Sequence, residues 1–176
     1  ARRVFRENLT GTLEVMGREV KVQVEFHPRQ VARWRLLGYE NRHVADRDFR
    51  NDAVDAGEIG AGHTAVALYE VKLADQAARD LSRGRSVSLG EVRLRWARPS
   101  HHPQAGQVTE ISRPIADGDL VASWDQARGP LQLAAVAAEF AEILRGSYWA
   151  REGDLSELER TSRELARRAG TDEAWE

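Results

Sequence analysis

The stretch Arg18–Phe26, REVKVQVEF, alternates apolar with charged or polar residues and is the clearest β-strand signal in the chain. One predicted face carries Val20, Val22, Val24 and Phe26, and the other carries Glu19, Lys21, Gln23 and Glu25. His27-Pro28 ends this strand, because proline has no backbone N–H for a sheet hydrogen bond. A preceding hairpin partner is predicted at Thr12–Met16, with the turn at Gly17-Arg18.

Similar patterns further along the chain predict strands at Val31–Glu40, Thr64–Leu73, Val87–Trp96 and Val108–Arg113. In the third of these, Val92, Leu94 and Trp96 are predicted to point inward, and Glu91, Arg93 and Arg95 outward. Asn41–Gly62 has no sustained apolar period and is predicted to be a long loop that packs on the strands through Phe49, Val54 and Ile59. A short helical turn is predicted around Ala77–Leu81. Strands at this spacing predict an α+β protein built on an antiparallel, immunoglobulin-like β-sandwich of about six to eight strands.

The C-terminal part of the chain changes from strand to helix periodicity at Gly129-Pro130. Apolar residues then recur at helical spacing as far as Leu144, and Gly146 is placed as a C-terminal cap. A second helix is predicted from Asp154, with Glu157 completing a capping box. We therefore predict two domains, a β-sandwich over residues 1–126 and a helical hairpin over residues 127–176 that packs on the sandwich.

Composition excludes several classes of function. The 176 residues carry a formal net charge of −2, so no overall positive charge favours nucleic acid or anionic lipid. The chain has no cysteines, which excludes disulfides and zinc–thiolate sites. No apolar run approaches the ~20 residues that cross a bilayer. We predict no nucleic-acid partner and no transmembrane segment in this chain.

A glycine-rich stretch at Asp55–Val71, DAGEIGAGHTAVALYEV, has the composition of a phosphate-binding loop. Its spacing, Gly57-x-x-Gly60-x-Gly62, matches neither common nucleotide-binding motif, and a strand pattern rather than a helix follows it. Glycine also permits the positive φ angles that turns need. We interpret the stretch as a turn into a β-strand that holds no ligand.

Acidic residues around this stretch could ring a calcium ion, which takes about six to eight oxygen ligands. They are Asp46, Asp48, Asp52, Asp55 and Glu58. The EF-hand order fails because Arg50 stands at the fifth position counted from Asp46, so a solvated acidic loop is the favoured interpretation. Apart from this calcium alternative, no metal-ligating, catalytic or cofactor-binding residue is predicted.

Histidines and tryptophans give two weaker alternatives. His63 and His43 flank the acidic residues and could act with an aspartate as a general base, but no nucleophile motif accompanies them. His101 and His102 are adjacent, so their side chains diverge and a solvent-exposed loop is favoured over a metal site. Four tryptophans are interpreted as packing in a core or between sheet and helix, with a stacking surface for sugars or peptides as the alternative. They are Trp34, Trp96, Trp124 and Trp149.

Four stretches together are similar to a known bacterial region. They are LTGTLEVMGREVKVQVEFHP at Leu9–Pro28, RLLGYENR at Arg35–Arg42, DAGEIGAGHTAVALYE at Asp55–Glu70 and LAAVAAEFAEILR at Leu133–Arg145. The chain resembles the region of unknown function that follows the von Willebrand factor A (VWA) domain in YfbK-like proteins. The resemblance implies that a VWA domain precedes this chain, that this domain holds a divalent cation (Mg or Ca), and that the protein is exported or anchored at the cell envelope. The family's cation motif, Asp-x-Ser-x-Ser, is not matched here, since Asp80–Gly84 ends in glycine.

The function expected from the residues and the resemblance together is that of a non-catalytic accessory domain. It would support or present the adjacent adhesion domain and contact another protein, with no cofactor in this segment. The alternative is a calcium- or carbohydrate-binding β-sandwich module that uses the acidic residues or the tryptophans.

Overall fold

A computed structural model describes residues 14–38 and 45–169. Within these residues the protein is α+β, with six strands in antiparallel sheets and three α-helices. The strands are β1 Val15–Phe26, β2 Val31–Leu37, β3 Gly57–Gly60, β4 Leu68–Leu73, β5 Ser88–Ala97 and β6 Val108–Ala116. The helices are α1 Asp75–Ser82, α2 Gly129–Leu144 and α3 Leu155–Ala169. The predicted class is confirmed at this level, and none of these helices is both long and apolar enough to span a bilayer.

Two sheets organise the strands. The larger sheet has the order β3-β1-β5-β6, and each neighbouring pair is antiparallel. The smaller sheet consists of β2 and β4. Among the described residues, 14–35, 45–67 and 71–119 form one compact unit, and 36–38, 68–70 and 120–169 form a second. The predicted domain boundary at residue 126 stays a prediction.

The apolar core of the first unit lies at one end of the four-stranded sheet. Buried Val31, Ala77, Val87 and Leu89 form it, and Phe26, Val71, Leu73, Leu81 and Ile115 pack against them. Gly90 makes this packing possible, because its φ of +156° and its contact with β1 exclude a side chain. A Cβ there would lie 2.2 Å from the carbonyl oxygen of Glu25. Helix α1 supplies Ala77, so the predicted helical turn is confirmed and extends to Asp75–Ser82.

Strand β1 begins earlier than predicted, at Val15, so the predicted turn at Gly17-Arg18 is wrong. A Cβ on Gly17 would lie 3.2 Å from Ile59 and 3.4 Å from Trp96, so this glycine serves close packing within the strand. Beyond Gly17 the pairing with β3 and with β5 shifts register, and Glu19 has a φ of 51°. This irregularity is a β-bulge, which breaks the predicted alternation on the N-terminal side of Lys21.

The glycine-rich stretch forms a strand of its own within the predicted loop. Gly57–Gly60 is strand β3, an edge strand that pairs with β1, and Gly62 turns the chain with a φ of +74°. Strand β4 then begins at Leu68 instead of Thr64. The turn interpretation therefore holds for Gly62, and no helix follows the glycines. At the other edge, β6 continues through Pro114, where an edge strand tolerates the missing N–H.

The second unit contains α2 and α3, close to the predicted helices. Val136 of α2 and Leu158 and Leu165 of α3 are buried together, with Ile143 packed against them. The side-chain amide of Gln132, fully buried, donates to the carbonyl oxygen of Trp124 at 2.7 Å. Gly146 caps α2 as predicted, and Asp154 caps α3 by accepting from the Ser156 N–H at 2.8 Å.

Candidate functional site

The two faces of the four-stranded sheet differ in chemistry. Residues directly opposite in an antiparallel pair share a face, so the strand register defines both sets. The charged face consists of Lys21, Gln23 and Glu25 on β1, Arg95, Arg93 and Glu91 on β5, and Glu110 and Ser112 on β6. The apolar face consists of Val22, Val24 and Phe26 on β1, Val92, Leu94 and Trp96 on β5, and Ile111 and Ile115 on β6, together with Thr109 and Arg113 on β6.

Residues 45–56, which we call the acidic segment, cover the charged face. The backbone carbonyl of Asn51 accepts from Lys21 Nζ at 2.5 Å, and Lys21 is only 4% exposed. Asp52 accepts from Arg95 Nη2 at 2.7 Å, and the Arg95 side chain is 15% exposed. Arg50 donates to both carboxylate oxygens of Glu110, at 3.1 and 2.7 Å. Arg95 therefore lies on the predicted side of the strand, opposite to Val92 and Leu94, but the acidic segment covers it there.

Hydrogen bonds from neighbouring side chains lower the pKa of three carboxyl groups at this face, those of Asp52, Glu91 and Glu110. The hydrogen bond from Arg95 lowers the pKa of Asp52, and the hydrogen bond from Arg50 lowers that of Glu110. For Glu91 the hydrogen bond from Ser112 lowers the pKa most, and Arg93 adds to it. A general base at neutral pH works best with a pKa near 7, so these shifts move the carboxyl groups away from acid–base catalysis. The charged face is thus a structural network.

The five carboxylates of the calcium alternative lie along the acidic segment and β3 and contact several different partners. Asp46 accepts from Gln23, Asp52 from Arg95, and Glu58 from Arg18 at 3.3 Å. Asp48 accepts from the Asn51 side chain at 3.3 Å, and Asp55 is exposed. In the described part of the chain, no three His, Asp or Glu side chains are grouped so that they could hold a metal ion. The calcium alternative stays a prediction, and thermal melts with and without calcium test it.

The histidines lie at two separate places. His63 borders a surface depression of about 360 Å3 whose other lining residues are Glu58, Ile59, Gly62, Thr64 and Ala65. Glu58 shares this depression with His63, but its carboxylate is paired with Arg18. In the loop after β5, the His102 ring contacts the Arg98 guanidinium at 3.0 Å, and His101 is exposed. His43 lies outside the described residues.

Three of the four tryptophans are exposed, so their interpretation as core residues is wrong. They are Trp34, Trp124 and Trp149. Trp34 packs against Phe26 with the rings tilted and their centroids 5.5 Å apart, and Trp149 contacts Tyr148 edge-on, with centroids 5.3 Å apart. Trp96 alone among the four is partly buried, beside Gly17. Aliphatic residues, some of them from α1, fill the core of the first unit, and Trp34 lies at the surface of that unit. Trp124 and Trp149 lie at the surface of the second unit.

Helix α2 has an exposed apolar stripe that sequence reasoning missed. We call Leu133, Ala137, Phe140 and Leu144 the α2 stripe, because they recur at intervals of three or four residues and all are exposed. Leu133 is 54% exposed and Leu144 68%. The signal was present in the composition of α2, whose 16 residues include only Gln132, Glu139 and Glu142 as polar side chains. A helix that is apolar on nearly every side needs more than one covering partner, and α3 covers only the Val136 side.

The apolar face of the sheet is covered at one end and open at the other. Phe26 and Ile115 pack into the core of the first unit. Two rows further along, Val22 and Ile111 are each 54% exposed. Soluble proteins seldom expose contiguous apolar surface without a binding role. The candidate functional surfaces of the described chain are therefore this open end and the α2 stripe.

Comparison with known proteins supplies the family. Residues 11–174 match the family described as "Uncharacterized protein YfbK, C-terminal". The chain is 29% identical over 158 residues to the uncharacterized protein YfbK of Escherichia coli (strain K12), which covers 84% of this chain and 26% of that protein. This chain thus spans about a quarter of the length of that relative. No solved structure matches this chain. The match over nearly the whole chain confirms the resemblance, and the chain belongs to the family of YfbK C-terminal regions.

Proposed function

We propose that this region is a non-catalytic accessory domain of a longer bacterial protein, and that its α2 stripe docks the VWA domain of the same protein. The relative from E. coli is about four times as long as the stretch it shares with this chain, which supports a multidomain setting. On this proposal the divalent cation belongs to the VWA domain, and the whole protein acts at the cell envelope. The role of the accessory domain is to hold and present its neighbour.

The observation that carries the proposal is the exposure of large apolar side chains on α2. Leu133, Phe140 and Leu144 project from one side of a helix whose other side packs against α3. Binding energy at protein interfaces concentrates in a few large side chains that enter a dry contact. A stripe of this length, about three helical turns, is the form in which a helix presents itself to a groove on a partner.

The chemistry of the polar residues supports a non-catalytic role. Among the described residues, the carboxyl groups with lowered pKa values are those of Asp52 in the acidic segment, Glu91 and Glu110 on the charged face, and Asp80 on α1. Each accepts hydrogen bonds from neighbouring side chains of the fold. His63 borders a depression whose carboxylate, Glu58, pairs with Arg18. The described residues place no activated nucleophile beside a base.

We also infer that the two sheets belong to one β-sandwich. The core of the first unit supports this, because Val31, Val71 and Leu73 of the small sheet pack with Phe26 and Ile115 of the large one.

Binding between this chain and the separately purified remainder of the longer protein tests the docking proposal. We expect Phe140→Asp with Leu144→Asp to weaken binding at least tenfold, since ~1.4 kcal/mol corresponds to tenfold and burying two carboxylates costs more. The matched control is Arg160→Asp, which changes an exposed residue of α3 and leaves the stripe intact. Calorimetric titration measures both affinities. Equal affinity of the double variant and the unaltered chain would contradict the proposal.

A further inference from the structure

We propose that the open end of the apolar face is covered by an extended segment of the longer protein that lies outside this chain. The sandwich would then be assembled from two separate stretches of one polypeptide. The α2 stripe belongs to the second unit, whereas this surface belongs to the first, so the inference goes beyond the docking proposed above.

The burial of side chains changes along the apolar face of the four-stranded sheet. Three rows of side chains run across β1, β5 and β6, and the row that contains Phe26 and Ile115 is packed in the core. The next row contains Val24 and Val92, which are half-buried, and Arg113, an exposed residue of β6 that pairs with Asp119. The third row is apolar again, with Val22 and Ile111 exposed on either side of a half-buried Leu94. Apart from Arg113 at the β6 edge, the side chains of this face stay apolar where the cover ends.

Within residues 14–38 and 45–169, the layer that covers the apolar face is smaller than the sheet. The large sheet has four strands and the small one has two, and the small sheet and α1 together reach only the first row. A two-stranded sheet is marginal on its own, whereas larger sheets with a packed apolar face are stable. Strands lie about 4.8 Å apart, so the open surface across three strands is roughly 10 Å wide. One or two further strands would cover it.

The remainder of the longer protein can supply those strands. The family description places this region at the C-terminal end of its protein, and the chain spans 26% of the length of the E. coli relative. A segment of the same polypeptide meets this surface at a high effective concentration, so a modest apolar contact is enough to keep it bound. The occupant expected here has alternating apolar residues, because only one of its faces would meet Val22 and Ile111.

Thiol labelling tests this inference, since the chain has no cysteines of its own. Ile111→Cys is placed in this chain alone and in the longer protein, and mass spectrometry of the peptide that contains residue 111 follows its reaction with a maleimide. We expect labelling at least tenfold slower in the longer protein. Ser112→Cys is the matched control, because Ser112 is exposed on the next position of the same strand and faces the opposite side. Its labelling rate should change less than twofold.

Two outcomes would overturn the inference. Equal labelling of residue 111 in both proteins would show that nothing covers the face. Protection that rises with protein concentration would assign the cover to a second copy of the chain. Phe140→Asp with Leu144→Asp, introduced into the longer protein, separates the two proposals: we expect protection of residue 111 to persist even where VWA docking on α2 is lost.

Discussion

In most sheets the apolar face is buried and the charged face is exposed, but at the Lys21–Val22 end of this sheet the opposite holds. Lys21 is buried under the acidic segment, while Val22, the next residue of the same strand, is exposed on the other side. Neighbouring residues of a strand point to opposite faces, so the difference comes from what the rest of the chain places on each face. Alternation in the sequence therefore identifies two chemically different faces, but it does not determine which face other parts of the chain cover.

Complementary charge explains why the charged face is covered. The acidic segment brings Asp46, Asp52 and the Asn51 carbonyl to Gln23, Arg95 and Lys21. Buried polar groups are tolerated when their hydrogen bonds are made, and here each of these donors has an acceptor. The open end of the apolar face leaves about 25 cal/mol of stabilisation unused for every Å2 that a partner could bury. Among the described residues, the acidic segment covers Lys21 and Arg95 on the charged face, whereas Val22 and Ile111 on the apolar face stay exposed.

Gly90→Ala should give the largest loss of stability, because Gly90 sets the approach of β5 to β1 at the covered end of the apolar face. The new Cβ would lie 2.2 Å from a backbone oxygen of Glu25, and neither backbone can move freely within paired strands. We expect a loss of about 3 kcal/mol or more in the free energy of unfolding, measured by urea denaturation. Gly57→Ala is the control, since nothing lies within 4 Å of a Cβ at that position of β3. A tolerated Gly90→Ala would contradict the packing described for β1 and β5.

Lys21→Met probes the covered charged face. The substitution keeps most of the buried stem and removes the ammonium, so the Asn51 carbonyl loses its charged donor and keeps only the Val54 N–H, at 3.3 Å. A hydrogen bond to a charged group contributes about 1.5–3 kcal/mol, and we expect a loss of that size in urea unfolding. Val22→Thr on the other face is the control and should change stability by less than about 0.5 kcal/mol. Equal effects at residues 21 and 22 would remove the distinction between the faces.

Ile115→Ala and Ile111→Ala compare the two ends of the apolar face within one strand. Ile115 packs against the core, so its truncation should cost about 1–2 kcal/mol. Ile111 is exposed in this chain, and its truncation should cost less than about 0.5 kcal/mol. The same two substitutions in the longer protein test whether residue 111 is covered there. There we expect the cost at residue 111 to rise toward that at residue 115.

Local patterns predicted much of the secondary structure. The alternation around Val22 and the capping residues Gly146 and Asp154 gave one strand and two helices close to their observed bounds. The bulge at Glu19 and strand β3 were missed, because both depend on pairing with distant residues. A stretch of four residues, Gly57–Gly60, is too short for a periodicity that distinguishes an edge strand from a loop.

Burial could not be predicted from the same patterns. The arginines of β5 were predicted only to point outward, because no local feature shows that Asp52, 43 residues away from Arg95, pairs with one of them and covers it. The tryptophans were expected in a core on general frequency, and three of them are exposed. In both cases the deciding interaction is long-range. The candidate surfaces were hidden for the same reason, although the composition of α2 already indicated an uncovered apolar side.

Asp52→Asn should give the smallest effect, visible as a change in pH dependence. Hydrogen bonding to Arg95 lowers the pKa of Asp52 in the folded state, and its unfolded value is about 4. The stabilisation is therefore fully present above pH ~4 and is lost as the pH falls through the folded-state pKa. In the Asn variant, urea midpoints measured from pH 7 to pH 2.5 should fall less steeply on the acid side. Asp55→Asn, an exposed carboxyl of the same segment, is the control. An unchanged acid slope in Asp52→Asn would mean that the pair with Arg95 contributes nothing to the cover of the charged face, and that Lys21 and Arg50 hold the acidic segment without it.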